Sequence, residues 1–582
     1  MPFSFRRIWG EATAVVDKSR KIGWVDVLVV VGLAGLFFAV ISMAQGAVHR
    51  PLENQEIDTS VWVLPWYTFQ SLMRGLVAYL LSLGFTLVYG YWAAKDHVAE
   101  RVLIPLLDIL QSIPVLSFMP ILLVALAGLF APSSLGLELV AIIMIFTGQA
   151  WNMTFSFYHS LRAVPQDQQE VATMYRFTWW QRFRWVELPF STMGLVWNSM
   201  MSMAGGWFFL IACEAMDLGE EHPRLPGIGS YMKEVSGKGL LLPQLLATAA
   251  MITMIVLLDQ LLWRPVVVWA QKFRVEEGGS QEAMTSWFLN WLQRSRLVAA
   301  VWRWLGRLRR ETTAKSVPTQ IVLHDPTRPS PWIVRISFLG FAVLICGLAY
   351  GAWELFWLLW KVPAGDWLVL AMAGGCTFGR VFLSLIFSTL WTLPAGLAIG
   401  LSPRLSRMLQ PVVQVLAAYP APLYFPFLVV GFKALGITLG WYSIVLMMVG
   451  TQWYILFNII AGSMAIPADL KEAAVSYRIN GWQRFWRLYL PAIFPYLVTG
   501  WVTAAGGAWN ASIVCEYLTF GDVEQVPWGT GIGAIIADST AKGDFALLAA
   551  ATLFLSAIVV VFNRTVWKRC YLLAESRYSL NK

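Results

Sequence analysis

Two stretches of this chain read nearly alike: PQDQQEVATMYRFTWWQRFRWVELP from Pro165 to Pro189, and PADLKEAAVSYRINGWQRFWRLYLP from Pro467 to Pro491. About half of the aligned positions are identical, among them Glu170/Glu472, Arg176/Arg478, Trp180/Trp482 and Leu188-Pro189/Leu490-Pro491. Each copy is polar enough to be hydrated, yet sits between strongly apolar runs. A repeat of this kind sets the organisation before any local element is assigned. The chain is two related halves, each carrying one polar segment between membrane-like stretches.

Local chemistry predicts two short helices in each copy. Asp167-x-x-Glu170 and Asp469-x-x-Glu472 have the spacing of a capping box, so each first helix should begin just after its proline. Asn480-Gly481 is a turn dipeptide, and Thr178 to Gln181 restarts a helix with another capping pattern. Trp482, Phe485, Trp486 and Tyr489 then follow at i, i+3, i+4 and i+7, which predicts an amphipathic second helix.

Glu472-Ala473-Ala474, with Leu490-Pro491 following, resembles the cytoplasmic EAA loop of ABC-importer permeases, and Glu170-Val171-Ala172 with Leu188-Pro189 is similar. The resemblance implies that these loops dock into a groove on an ATPase subunit. Glu170, Ala172, Arg176, Trp180, Glu472, Ala473, Ala474, Arg478, Gly481 and Trp482 would then shape the ATPase contact, with the tryptophans anchoring the following helix. One departure concerns the turn: where that family places a glycine, this chain has Arg176 and Arg478, with Gly481 three residues further on.

Composition agrees with a membrane protein. Of 582 residues, 58% are hydrophobic and only 13% charged, too apolar for a soluble core-and-surface arrangement. The net charge of +9 does not point to nucleic acid, because Lys and Arg collect in short gaps between apolar runs, the distribution of cytoplasmic loops. The five cysteines form no CxxC pair and no metal-ligand spacing, so buried small hydrophobes are expected and no metal.

Taken in order, residues 1–63 read as a cytoplasmic N-terminal segment with a first span over Trp24 to Val48 and an exterior loop. Residues 64–270 form the first permease-like domain, with spans over Leu64 to Ala94, Val102 to Phe130, Leu135 to Leu161, Phe190 to Ala212 and Leu240 to Ala270. Residues 271–331 are a basic amphipathic cytoplasmic linker, suited either to the anionic membrane surface or to a neighbouring subunit. The pattern restarts with a seventh span and exterior loop over 332–375 and a second permease-like domain over 376–570. That domain's spans run over Thr377 to Leu401, Met408 to Phe432, Ile437 to Ser463, Ile493 to Cys515 and Phe545 to Trp567, before a cytoplasmic tail over 571–582. The expected fold is all-α and polytopic, with about 12 transmembrane helices in two parallel six-helix repeats, like a type I ABC-importer permease.

Further pairs support the alignment. Arg74 and Arg380 open the second span of each half, and Pro105/Pro411, Pro114/Pro420 and Pro120/Pro426 share one offset in the third, which should be broken in both halves. Cys213-Glu214 and Cys515-Glu516 end the fifth spans, six residues after Trp207 and Trp509, and Gly227-x-Gly229 and Gly531-x-Gly533 follow. The nitrate, taurine and sulfonate branch of importer permeases has a similar glutamate and Gly-x-Gly. A carboxylate at membrane depth is costly and usually faces the bundle interior. Trp207, Glu214, Trp509, Asn510 and Glu516 are therefore expected along a substrate pathway, the glutamates holding a gate through hydrogen bonds.

No GxxxxGK[ST], HExxH or GxSxG occurs, so neither a nucleotide site nor a catalytic site is expected in the chain itself. The resemblance implies a fused, non-catalytic permease in a bacterial inner membrane, both termini cytoplasmic, moving a small anionic solute by alternating access. Two partner ABC ATPase subunits would supply ATP and Mg, and a separate periplasmic or surface binding protein would capture the solute. An ion-coupled carrier of two parallel six-span halves is the alternative.

Overall fold

The computed structural model describes residues 57–130, 135–215, 225–273, 288–289, 349–437, 439–517 and 531–577, and every regular element among them is helical. The elements form eight matched pairs. In the first half these are α1 (Leu64–Lys95), α2 (His97–Ser112), α3 (Val115–Leu129), α4 (Leu135–Arg162), α5 (Gln166–Met174), α6 (Trp179–Glu214), α7 (Ile228–Gly237) and α8 (Leu241–Phe273). In the second they are α9 (Ala364–Leu401), α10 (Pro403–Ala418), α11 (Phe425–Ala434), α12 (Leu439–Met464), α13 (Ala468–Ser476), α14 (Gly481–Glu516), α15 (Ile532–Lys542) and α16 (Phe545–Ala574). Eight helices among the described residues are long and apolar enough to cross a membrane.

That number differs from twelve for identifiable reasons. The expected first span lies outside the described residues, as do most of the linker and all of the seventh span before residue 349. The third span of each half is broken, as its prolines predict. Only the middle proline of each set makes the break: Pro114 starts α3 with an extended backbone, and Pro420 does the same before a one-turn helix at Ala421–Leu423. Pro105 sits within α2, and Pro411 lies inside the span of α10. One boundary is also corrected. A helical stretch over 349–360 is followed by only a short turn before α9 begins at Ala364, so the exterior loop expected up to residue 375 is mostly helix.

Lipid offers no hydrogen-bond partners, so each span must satisfy its backbone internally and helices must pack through shape. The buried face of α1 carries Ser71, Gly75, Ala78, Ser82, Thr86, Gly90 and Ala93, and that of α9 carries Thr377, Ser384, Ser388, Thr392 and Gly396. These small residues let α4 and α12 approach closely; Thr86 and Thr154 meet hydroxyl to hydroxyl at 3.1 Å. Within each half α4 lies between α1 and α6, and α12 between α9 and α14.

The broken third spans join the halves. The segment α2–α3 packs on α14, α15 and α16, while α10 and the turn at Ala421–Leu423 pack on α6 and α8. Tyr419 and Leu423 are accordingly buried in a cluster otherwise built from the first half. Polar contacts accompany the exchange: Leu116 N donates to Asn510 Oδ1 at 3.2 Å, Thr552 Oγ1 to Ser117 O at 3.1 Å, and Gln414 Nε2 to Asp259 Oδ1 at 3.2 Å.

The fifth spans were expected to start near Phe190 and Ile493, separate from the preceding amphipathic helix. Instead each is one continuous rod of 36 residues. A wide turn makes this possible. Phe183–Glu187 and Phe485–Tyr489 are π-helical, and Leu188 N and Leu490 N each bond five residues back, to Phe183 O and Phe485 O. The extra residue carries the chain past Pro189 and Pro491, which cannot donate.

Packing this close predicts a sharp contrast between glycines. A Cβ at Gly400 would sit 2.6 Å from Ser463 Cβ and 2.8 Å from Ile460 O, whereas one at Gly375 would meet nothing within 4 Å. Gly400→Ala should cost about 1–3 kcal/mol and lower the unfolding temperature in detergent; Gly375→Ala should leave it unchanged.

Candidate functional site: paired hairpins and paired carboxylate latches

The two hairpins begin as predicted, directly after Pro165 and Pro467, but without the expected capping boxes. No side chain caps either start; Asp167 and Asp469 lie within the first turn, where a carboxylate meets the positive end of the helix dipole. Both α5 and α13 end in the same closure. Phe177 N bonds Ala172 O at 2.9 Å and Arg176 N bonds Thr173 O at 3.0 Å; Ile479 N bonds Ala474 O and Arg478 N bonds Val475 O at 3.1 and 2.9 Å. This six-to-one pattern needs a left-handed residue, normally glycine. Here Arg176 (φ 49°) and Arg478 (φ 48°) take it, the only non-glycine residues among those described with positive φ. The arginines therefore keep the turn geometry that glycine would give, at a backbone cost of about 1 kcal/mol or more. Gly481 is not the turn residue; it opens α14, where Asn480 Oδ1 accepts from Gln483 N at 3.0 Å. In the first copy Thr178 and Gln181 do form the predicted capping box.

The side chains divide by face. Ala172 and Ala474 are buried, Ala473 is half-buried, and Glu170, Glu472, Arg176 and Arg478 are exposed. Trp180 and Trp482 stack on Phe183 and Phe485 yet remain 55% and 71% exposed. Around them Val171, Met174, Tyr175, Trp179 and Trp185 on one hairpin, and Leu470, Val475, Tyr477 and Trp486 on the other, are also exposed. Isolated helices this short are marginal in water; here the second helix of each hairpin runs on into the fifth span. Beside the first hairpin, Val171, Phe177, Trp185, Pro189 and Phe273 wall an open hollow of about 560 Å³.

At the opposite end of α6 and α14 are the two glutamates. Glu214 is completely buried. Its Oε1 accepts from Arg74 Nη1 and Ser71 Oγ, both at 2.7 Å, and its Oε2 from Gly229 N at 2.9 Å. Arg74 also grips Glu138 with two 2.6 Å bonds and donates to Pro226 O at 2.7 Å. Ser71 Oγ in turn accepts from Ile228 N at 3.1 Å. The second half repeats the arrangement. Glu516 accepts from Arg380 Nη1 at 2.8 Å, Thr377 Oγ1 at 2.9 Å and Gly533 N at 3.0 Å, and Thr377 Oγ1 accepts from Ile532 N at 3.0 Å. Each latch thus ties the second span, the fifth span and the start of α7 or α15 into one unit. The glycines explain themselves by space: a Cβ on Gly227 or Gly531 would collide with the carboxyl group.

The glutamates expected along a substrate pathway, holding a gate through hydrogen bonds, are hydrogen-bonded here and closed off from solvent. In this conformation both carboxylates are enclosed and fully engaged, because an unpaired charge at membrane depth would cost several kcal/mol. Trp207 and Trp509 are likewise buried, Trp207 against Gly75 and Trp509 against Phe378. Asn510 differs, reaching across to the other half at Leu116. A cavity of about 60 Å³ does lie between the halves, walled by Met201, Gly205 and Phe208 and by Tyr419, Gly450 and Tyr454. The glutamates, the two arginines and both Gly-x-Gly pairs stand out in the sequence as matched features, whereas Ser71, Glu138 and Thr377 do not. Nothing in a lone hydroxyl or a lone glutamate marks it as a latch partner.

Removing one partner of such a latch should be far worse than removing both. Arg74→Met should destabilise the protein by about 3–5 kcal/mol, and Arg74→Met with Glu214→Leu should recover part of that loss in thermal unfolding. Equal destabilisation of single and double variants would argue against the latch.

A family model described as "Binding-protein-dependent transport system inner membrane component" matches twice, over residues 86–263 and 392–567. The nitrate import permease protein NrtB of Leptolyngbya laminosa is 24% identical over 263 residues, 45% of this chain and 89% of that protein. The bicarbonate transport system permease protein CmpB of Synechococcus elongatus is 27% identical over 179 residues, 31% of this chain and 60% of that protein. The taurine transport system permease protein TauC of Escherichia coli is 27% identical over 139 residues, 24% of this chain and 49% of that protein. The chain thus covers less than two thirds of the second and third relatives. The two family matches together take in more than half of the residues, one match in each half of the repeat. The chain belongs to the family of binding-protein-dependent transport system inner membrane components, and carries two such permease domains in one polypeptide.

Proposed function

We propose that this protein is the membrane subunit of an ATP-driven importer and that its two hairpins are the points where two ATPase subunits push. The observation that carries the reading is a matched pair of exposed aromatic surfaces on rigid hairpins, each continuous with a spanning helix. Exposed tryptophan, tyrosine and methionine on a fixed scaffold is the composition of a protein interface. Glu170 and Glu472, exposed on the same helices, supply charge at the rim of that interface. ATP and Mg would be held by the partner subunits; this chain contributes the groups that receive the movement.

The latches give that movement its rigid bodies. With α1, α6 and α7 locked through Glu214, and α9, α14 and α15 through Glu516, a push on a hairpin would rock a whole bundle. The interface between bundles, where the 60 Å³ cavity lies, would then open alternately to either side. Nucleotide binding drives this only if one orientation of the pair binds the closed ATPase dimer better. The proteins named above for nitrate, bicarbonate and taurine handle solutes bearing a small oxyanion group. We infer the same solute class here, delivered by a separate binding protein to an inner-membrane permease with both termini in the cytoplasm.

Glu170→Lys with Glu472→Lys tests the docking assignment. Co-purification of the ATPase subunits and ATP-dependent uptake of nitrate, bicarbonate or taurine should both fall by tenfold or more, which is about 1.4 kcal/mol of coupling. Uptake and retention at the unsubstituted level would refute it, and uptake driven by an ion gradient without ATP would replace it with a carrier mechanism.

A further inference from the structure

The two hairpins are attached to their bundles by different physics. In the π-helical turn of α6, Glu187 is buried, 1% exposed, where the rod leaves the hairpin. Its Oε1 accepts from Lys95 Nζ at 2.5 Å and from Arg182 Nε at 3.0 Å. Arg182 Nη2 continues to Gln169 Oε1 at 3.1 Å, and Gln169 Nε2 to Val164 O at 2.9 Å. An unbroken polar chain therefore runs from the middle of α5 through Glu187 to the last residue of α1.

The second half lacks three of these four groups. Counting from Leu188/Leu490 the partner of Glu187 is Tyr489, from Arg74/Arg380 that of Lys95 is Leu401, and from Glu170/Glu472 that of Gln169 is Lys471. Arg182 alone keeps its counterpart, Arg484, whose Nη2 donates to Ile479 O at 3.1 Å. Tyr489 instead packs with the apolar core.

This contrast is an internal control. The second half shows that the same turn folds with an uncharged residue, Tyr489, at the Glu187 position, so the turn itself does not require the charge. A buried ion pair is often no better for stability than well-packed apolar residues, and in some proteins a retained one fixes a specific geometry. Here the geometry joins the helix that receives a push to the second span, which the Glu214 latch already ties to the rest of the bundle.

We propose that Glu187 is a positioning residue that transmits movement of the first hairpin to the second span, and that the two permease domains are coupled unequally to their motors. This rests on the hairpins being the ATPase contacts. The test uses the complete transporter with its ATPase subunits, trapped with MgATP and vanadate, and compares amide hydrogen exchange with the nucleotide-free state. In the unsubstituted protein, trapping should change protection both in α5 and in the α1–α2 turn, residues 93–101. Glu187→Gln should keep the change in α5 but reduce that in the turn about fivefold or more, with ATPase retention intact. Lys95→Met, which cuts the same chain from a partly exposed position, should do likewise, and carries the test should Glu187→Gln assemble poorly. Tyr489→Phe should alter neither region. The proposal is overturned if Glu187→Gln and Lys95→Met keep the full response in the turn, or if Glu187→Tyr with Lys95→Leu, the second half's own solution, responds as the unsubstituted protein does. If the unsubstituted chain retains no ATPase at all, the docking assignment fails with it; retention with an unchanged response in the variants overturns the Glu187 proposal alone.

Discussion

Inside a bilayer no water is available to a loose amide or an unpaired charge, and this single constraint accounts for most of the architecture. It makes every described element a helix, lines the packed faces of α1 and α9 with small residues, and fixes where backbone can be broken. The breaks at Pro114 and Pro420 are tolerated because the opposite half covers them. Groups next to the first break are met from across the interface, Leu116 N by Asn510 and Ser117 O by Thr552. The same constraint allows Glu214 and Glu516 to lie at membrane depth only with an arginine, a hydroxyl and a backbone amide on each.

Those two solutions act in different places. The latches remove freedom within a bundle, since a carboxylate shared among three elements cannot be kept satisfied while they slide apart. Between the bundles, the contacts of the exchanged third spans include apolar packing around a small void as well as the bonds at Leu116, Ser117 and Asp259. Tight inside and looser between is the distribution of stability that rigid-body rocking requires.

The repeat made much of this legible from residues alone. Paired prolines located both breaks, and paired Cys-Glu and Gly-x-Gly located both latches, because backbone breaks, buried charges and close approaches each demand one residue type. What the sequence misled about has equally local causes. A membrane-embedded carboxylate marks Glu214 and Glu516 as functional residues, but their partners Ser71 and Thr377 are hydroxyls that look like ordinary helix-packing residues. The continuity of α6 and α14 was hidden by Pro189 and Pro491, which normally end or kink a helix; the π turn that bypasses them has no signature of its own. Arg176 and Arg478 hid the left-handed turn, since arginine seldom adopts that conformation and only the tertiary setting forces it.

Joining two permease domains in one chain changes what the repeat can do. Two identical subunits must carry the same residue at both symmetry-related positions, so any polar group placed at the interface or at a hairpin appears twice. A fused pair is free of that rule, and this chain departs from symmetry at its latch, its hairpin and the interface between halves. Counting from Trp151/Trp453, the position matching Glu138 is Gly440; Glu187 is matched by Tyr489, and Asn510 by Phe208. The first half therefore has Glu138 on its latch and a polar chain at its hairpin, while the second supplies the amide that crosses to Leu116. None of these differences disturbs the matched backbone, with its breaks, π turns and left-handed arginines in register. The backbone is held symmetric by the demands of the bilayer, and side chains at the hairpin, the latch and the interface have been released from it.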